Sequence, residues 1–131
     1  KKINTMLKER EKIENFYRKN LIDLPIYFQE EGDYNFKNAH HLFTVILDNK
    51  KTKKKRDFLL RYLHDNGIGA GVNYRSITSM TYYKKIFGWN SKTCKNANYI
   101  GNNILSLPLY AGLKKKEQNH IVKVLRKFFY N

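Results

Sequence analysis

The sequence predicts an α+β domain in which helices pack on a small three-stranded sheet. Helical stripes of apolar residues open and close the chain, over residues 3–21 and from residue 114 onward. Two further helical patterns, 52–66 and 91–104, stand between them. Three segments too short for helices and suited to strands, 41–47, 68–74 and 105–107, alternate with these patterns.

Along the first stripe Ile3, Met6, Leu7, Ile13, Phe16, Tyr17 and Leu21 recur at helical spacing, with Arg10 interrupting the apolar side. Pro25 closes that helix, because proline disfavours helical geometry in the residue before it. Residues 26–38 then read as an irregular connection with Gly32-Asp33 as its turn. Residues 41–47, rich in Phe, Val, Ile and Thr, read as a strand buried on both faces. Thr52 is the expected cap of a helix to Asn66 whose Phe58, Leu59, Tyr62 and Leu63 form one apolar face, and Gly67 suits a left-handed terminus. Residues 68–74 are expected as a glycine-rich second strand. Ser91 is expected to cap a helix that turns Ala97, Ile100 and Ile104 inward, and 105–107 form the third strand. The last helix buries Ile121, Val122, Leu125, Phe128 and Phe129.

At 131 residues this is one domain, 1–131, with a long N-terminal helix at 1–22 and enough chain for its own core. No apolar run approaches the roughly 18 residues of a membrane span, and the chain opens in an amphipathic pattern rather than a signal segment, so a soluble, cytoplasmic protein is expected. The single cysteine, Cys94, excludes an internal disulfide and a multi-cysteine zinc site; a buried or half-buried structural thiol is expected. The net charge of +15, from 26 basic and 11 acidic residues, suggests a nucleic acid or another polyanion as partner. The lysines come with abundant Asn, Ile and Tyr, however, a composition that nucleotide bias imposes on any protein, and a solvated basic surface is the favoured reading.

Gly67, Gly69 and Gly71 invite a phosphate-loop reading, but they follow a helix and open a strand, the reverse of a dinucleotide fingerprint. A helix cap and close packing explain them better. His40, His41, His64 and His120 lack metal-ligand spacing. Lys50, Lys51, Lys53, Lys54, Lys55 and Arg56 crowd the start of a helix, where the dipole prefers acidic groups, which leaves anion contact open as a minority reading. Tyr74, Tyr82, Tyr83, Phe87 and Trp89 form an aromatic turn that either covers the sheet or offers hydroxyls, with the Asn73 amide, to a ligand.

The order of Arg10, Tyr17, Leu42-Phe43, Arg56-Asp57, Gly67-Ile68, Val72, Tyr74, Tyr82-Tyr83, Asn96-Ala97 and Leu105-Ser106-Leu107-Pro108-Leu109-Tyr110 resembles the C-terminal small domain of the DegT/DnrJ/StrS sugar aminotransferases. The resemblance implies a fold type I aminotransferase that uses pyridoxal phosphate to aminate a nucleotide-linked keto-sugar, with glutamate as donor, for amino-sugar or polysaccharide biosynthesis. It implies a homodimer and substrate contacts from Asn73, Tyr74 and Tyr82. Tyr74 is expected to aim its hydroxyl at the cleft while its ring packs on the sheet. No catalytic, cofactor or metal ligand is expected in this chain, since the family's cofactor lysine lies in a larger N-terminal domain absent from it. The family's His-Tyr, Pro and second His become Asn73, Tyr74, Ser76 and Thr78 here. No membrane or specific nucleic-acid partner is implied. The alternative is a non-catalytic basic module that contacts nucleic acid or another polyanion.

Overall fold

The computed structural model describes residues 2–30 and 32–130. Helix α1 spans Lys2–Leu21, strand β1 Ile26–Phe28, β2 Phe43–Leu47 and α2 Arg56–Asp65. A 3-10 turn at Ile77–Ser79 precedes α3 (Thr81–Phe87), α4 (Lys95–Asn103), β3 (Ile104–Leu107) and α5 (Lys115–Tyr130). The expected fold class is the one observed.

The sheet is antiparallel in the order β1-β2-β3, pairing Ile26 with Leu47 and Phe43 with Leu107. Its strands are not the expected three. Residues 68–74 meet β3 only through a bridge, in which Gly71 N–H donates to Ser106 O at 3.1 Å and Ser106 N–H to Gly71 O at 2.7 Å. Glycines at 69 and 71 bring no side chains to pack along a neighbouring strand, so the pairing does not propagate. The third strand is instead β1, inside the stretch expected to be irregular. Pro25, which has no N–H to donate, sits just before this edge strand while its carbonyl accepts from Asp48 N–H at 2.9 Å.

Strand β2 buries Phe43, Val45 and Leu47 and leaves Thr44 and Ile46 half-buried, so one face is closed rather than both. These side chains join Ile13, Tyr17 and Leu21 of α1, Leu59 and Leu63 of α2, Leu105 and Leu107 of β3, and Ile121 and Leu125 of α5 in one core. Phe128 and Phe129 pack against it only partly buried. Tyr17 O–H donates to Pro108 O at 3.1 Å and Arg126 grips both Asp23 oxygens, at 2.7 and 2.9 Å, so α1 is tied to the end of β3 and to α5. Among the described residues no helix is long and apolar enough to cross a membrane.

Several local expectations are corrected. Helix α2 starts at Arg56 with no side-chain cap, and Thr52 Oγ1 instead accepts from Lys54 N–H in the preceding turn. Phe58 is exposed, because the core-facing spacing of α2 runs through Leu59 and Leu63. Ser91 lies in a turn ahead of α4, which begins at Lys95 and buries Gly101 and Asn103 rather than Ala97 and Ile100. Cys94 is exposed at the head of α4, not buried.

Candidate substrate-facing arch

Between the end of α2 and the start of α3 the backbone is pinned at two places and free between them. The first pin begins at Gly67, whose φ of 74° lets the chain leave α2 in the left-handed region, with Ile68 N–H closing onto Leu63 O at 2.9 Å. Ile68 enters the core, and the Gly71–Ser106 bridge fastens the segment to the free edge of β3. The second pin is the buried pair Ser76 and Thr78, whose hydroxyls meet at 2.7 Å, while Ser79 O–H donates to Ser76 O at 2.6 Å. Residues 72–75 form an arch between these points.

Asn73, half-buried, folds its amide back so that Oδ1 lies 3.3 Å from where a Cβ on Gly71 would stand. Tyr74 is 71% exposed, so its ring does not pack on the sheet as expected. Arg75, the next residue, is also exposed and adds a guanidinium; no periodicity or motif spacing marks it in the sequence. The arch thus offers an amide, a phenol and a cation in succession. Such a set can hydrogen-bond the hydroxyls of a sugar and pair with a phosphate.

Tyr82 belongs elsewhere. It lies 63% exposed on α3, edge-on to Tyr83, while Tyr83 stacks on Trp89 with centroids 5.6 Å apart and planes 11° apart. Helix α3 has no buried residue, so these rings form a ridge stacked on itself and do not cover the sheet. Asn73 and Tyr74 are therefore brought together and Tyr82 stands on a separate feature. No ring contact links Tyr74 to the ridge among the described residues.

Behind the arch, Arg56 is 7% exposed and donates through Nη1 to Ile104 O at 3.2 Å and Gly101 O at 3.5 Å. It ties the head of α2 to the end of α4. Lys53, Lys54, Lys55 and Lys95 line an open groove of about 880 Å³ on that side with Asn98 and Asn102. Gly67 and Gly69 border a second cavity, of about 620 Å³, with Pro108, Tyr110 and His120.

Three of the four histidines serve as ties, and His41 is exposed. His40 Nδ1 lies 2.9 Å from Glu14 Oε2, His64 Nε2 2.8 Å from Ala70 O and His120 Nε2 3.0 Å from Asn66 O. Among the described residues no group of three or more histidine, cysteine or carboxylate side chains could hold a metal ion.

Residues 1–126 match the model of the DegT/DnrJ/EryC1/StrS aminotransferase family. The spore coat polysaccharide biosynthesis protein SpsC of Bacillus subtilis (strain 168) is 27% identical over 127 residues, which cover 96% of this chain and 33% of SpsC. Helicobacter pylori PseC, an aminotransferase involved in pseudoaminic acid biosynthesis, is 26% identical with a TM-score of 0.78, over 95% of this chain and 33% of its own. The proposed sugar aminotransferase Spr1654 from Streptococcus pneumoniae, in apo form, shares the fold with a TM-score of 0.84 at 19% identity, over 98% of this chain and 32% of its own. Spr1654 is also known in a PLP-form. The chain thus spans about a third of the length of the relatives it matches.

Proposed function

The chain belongs to the DegT/DnrJ/EryC1/StrS aminotransferase family, and from that premise we propose that it is the small C-terminal domain of a pyridoxal-phosphate enzyme that aminates a nucleotide-linked keto-sugar. The observation that carries this reading is the arch, where exposed Tyr74 stands out from a scaffold fastened at both feet, with half-buried Asn73 beside it. Binding groups on a four-residue arch anchored at both feet lose less conformational freedom when the ligand arrives than groups on an open loop would. Tyr74 O–H and the Asn73 amide hydrogen-bond the sugar or its diphosphate, and the Arg75 guanidinium pairs with phosphate oxygens. Tyr82 contributes from the ridge on α3 as the enzyme closes. The name of SpsC supports polysaccharide biosynthesis as the setting. The enzyme works as a cytoplasmic homodimer.

The lysines of this chain do not fit pyridoxal phosphate. An aldimine lysine must lose its proton, which requires a desolvated ammonium or a cationic neighbour in a closed site. Every described lysine is exposed except Lys54, which is half-buried with its ammonium donating to Phe128 O. The cofactor is held by residues outside this chain, and the role proposed here is substrate contact and closure of the cleft.

The test is the whole polypeptide carrying this chain, supplied with pyridoxal phosphate, glutamate and a nucleotide-linked keto-sugar. An amino-sugar nucleotide is the expected product, and Tyr74→Phe should lower kcat/KM by the equivalent of one hydrogen bond, about 0.5–1.5 kcal/mol, or more if the partner is a charged phosphate. Turnover of simple keto acids with no nucleotide sugar accepted would overturn the reading. The 131-residue chain alone, mixed with the cofactor and desalted, should retain no absorbance band.

A further inference from the structure

Resting on that reading of the arch, we infer that Gly101 and Ser76 form a clasp that sets how far Asn73 and Tyr74 reach toward the substrate, making both positioning residues. Gly101 is buried in α4, and a Cβ there would stand 2.3 Å from Ser76 N, 2.9 Å from Ser76 Cβ and 3.0 Å from Ser76 Cα. Contacts that short do not occur, and two of the three involve backbone, which has nowhere to rotate. Only glycine lets α4 lie this close to the foot of the arch. Ser76 cannot retreat freely, since its hydroxyl meets Thr78 at 2.7 Å and its carbonyl accepts from Ser79 O–H and N–H at 2.6 and 3.0 Å. The helix side is fixed as well, because buried Arg56 donates to the carbonyls of Gly101 and Ile104. The other foot is fastened at Gly71 to β3, which directly follows α4, so both feet answer to one continuous segment. A displacement at Gly101 has one compliant place to go, the four residues 72–75.

The experiment compares Gly101→Ala, Thr78→Val, Thr78→Ser and Tyr74→Phe in the whole polypeptide, reading KM and kcat for the nucleotide sugar together with amide exchange of residues 72–76 and 104–107. Gly101→Ala is expected to raise KM about ten-fold with kcat little changed, and to speed exchange in the arch while the β3 amides stay as protected as before. Thr78→Val should do the same to a smaller degree, and Thr78→Ser, which keeps the hydroxyl, should restore the parent values. A merely structural role would speed exchange everywhere, β3 included, and would not separate KM from kcat. If Gly101→Ala does not fold, the two Thr78 variants decide. Parent KM and parent arch exchange in Gly101→Ala or Thr78→Val, with Tyr74→Phe raising KM, would overturn the clasp and leave the substrate reading intact. Tyr74→Phe without kinetic effect would instead sink the substrate reading, and the exchange data would then judge the clasp alone.

Discussion

Two regions of this domain treat similar side chains in opposite ways. The scaffold of α1, β2, β3 and α5 takes Tyr17, Leu47, Leu105 and Leu125 to full burial, whereas the stretch from the arch through α4 leaves Tyr74, Tyr82, Ile86 and Phe87 more than half exposed. The first region spends its apolar area on its own stability. The second keeps it at the surface, on a segment whose backbone is nevertheless tied down at Gly71 and Ser76. A backbone anchored at both feet with exposed side chains is what a contact surface requires, and this contrast motivates placing the substrate contacts on the arch.

Truncation should separate the two regions most sharply. Leu105→Ala should destabilise the chain by about 2–5 kcal/mol, the cost of a cavity in a closed core. Ile86→Ala, at a residue 62% exposed, should change stability by about 0.5 kcal/mol or less. Denaturant midpoints of the two variants check this, and equal losses would erase the distinction.

Arg56 joins the regions, and its replacement gives the next largest effect. Arg56→Met keeps apolar bulk but strips donors from the carbonyls of Gly101 and Ile104, so a loss of about 1–3 kcal/mol is expected. Exchange at α4 amides should rise more than at β2 amides. A uniform rise would place Arg56 in the scaffold alone.

Titration probes the scaffold next. Burial pushes the Tyr17 hydroxyl well above its ordinary range, with the neighbouring Tyr110 and Glu117 adding to the shift. A raised folded pKa means that the stabilisation is fully present below the unfolded value of about 10 and is lost as pH rises beyond it. Tyr17→Phe should cost about 1 kcal/mol at neutral pH through the lost bond to Pro108 and should flatten the alkaline limb of the stability profile. At the acid end the Arg126 hydrogen bond holds the exposed Asp23 carboxyl below its usual value, so its small contribution is present above the unfolded pKa and fades as pH falls through the folded one. Arg126→Met should weaken that fade, leaving the part that the Tyr130 hydroxyl supplies. An unchanged alkaline limb in Tyr17→Phe would contradict the burial argument.

The same contrast governs what the sequence could announce. Helical stripes identified α1 and α5 because their buried faces recur at a period that reaches into the core, and β2 and β3 announced themselves through Phe43, Val45, Leu105 and Leu107 for the same reason. Where side chains do not enter the core, periodicity carries no information. Helix α3, with nothing buried, read as an aromatic turn, and residues 68–74 read as a strand although only one bridge forms. Strand β1 went unread because three residues after a proline make no pattern. In the arch, Asn73, Tyr74 and Ser76 were visible through their alignment with a family motif, but the approach of Gly101 to Ser76 was not, because a contact between residues 25 positions apart leaves no local trace. The exposed Cys94 likewise departed from its expectation because α4 starts three residues later than the Ser91 cap implied, with Cys94 itself at the cap position.

The smallest expected effect on stability tests the central claim most directly. Tyr74→Ala in the whole polypeptide removes a ring that contacts little of the scaffold, so the thermal midpoint should stay where it was. Its kcat/KM for the nucleotide sugar should fall by more than in Tyr74→Phe, since both the hydroxyl and the ring face are lost. A lowered midpoint with unchanged kcat/KM would show that Tyr74 serves the fold, and the substrate-facing arch would be wrong.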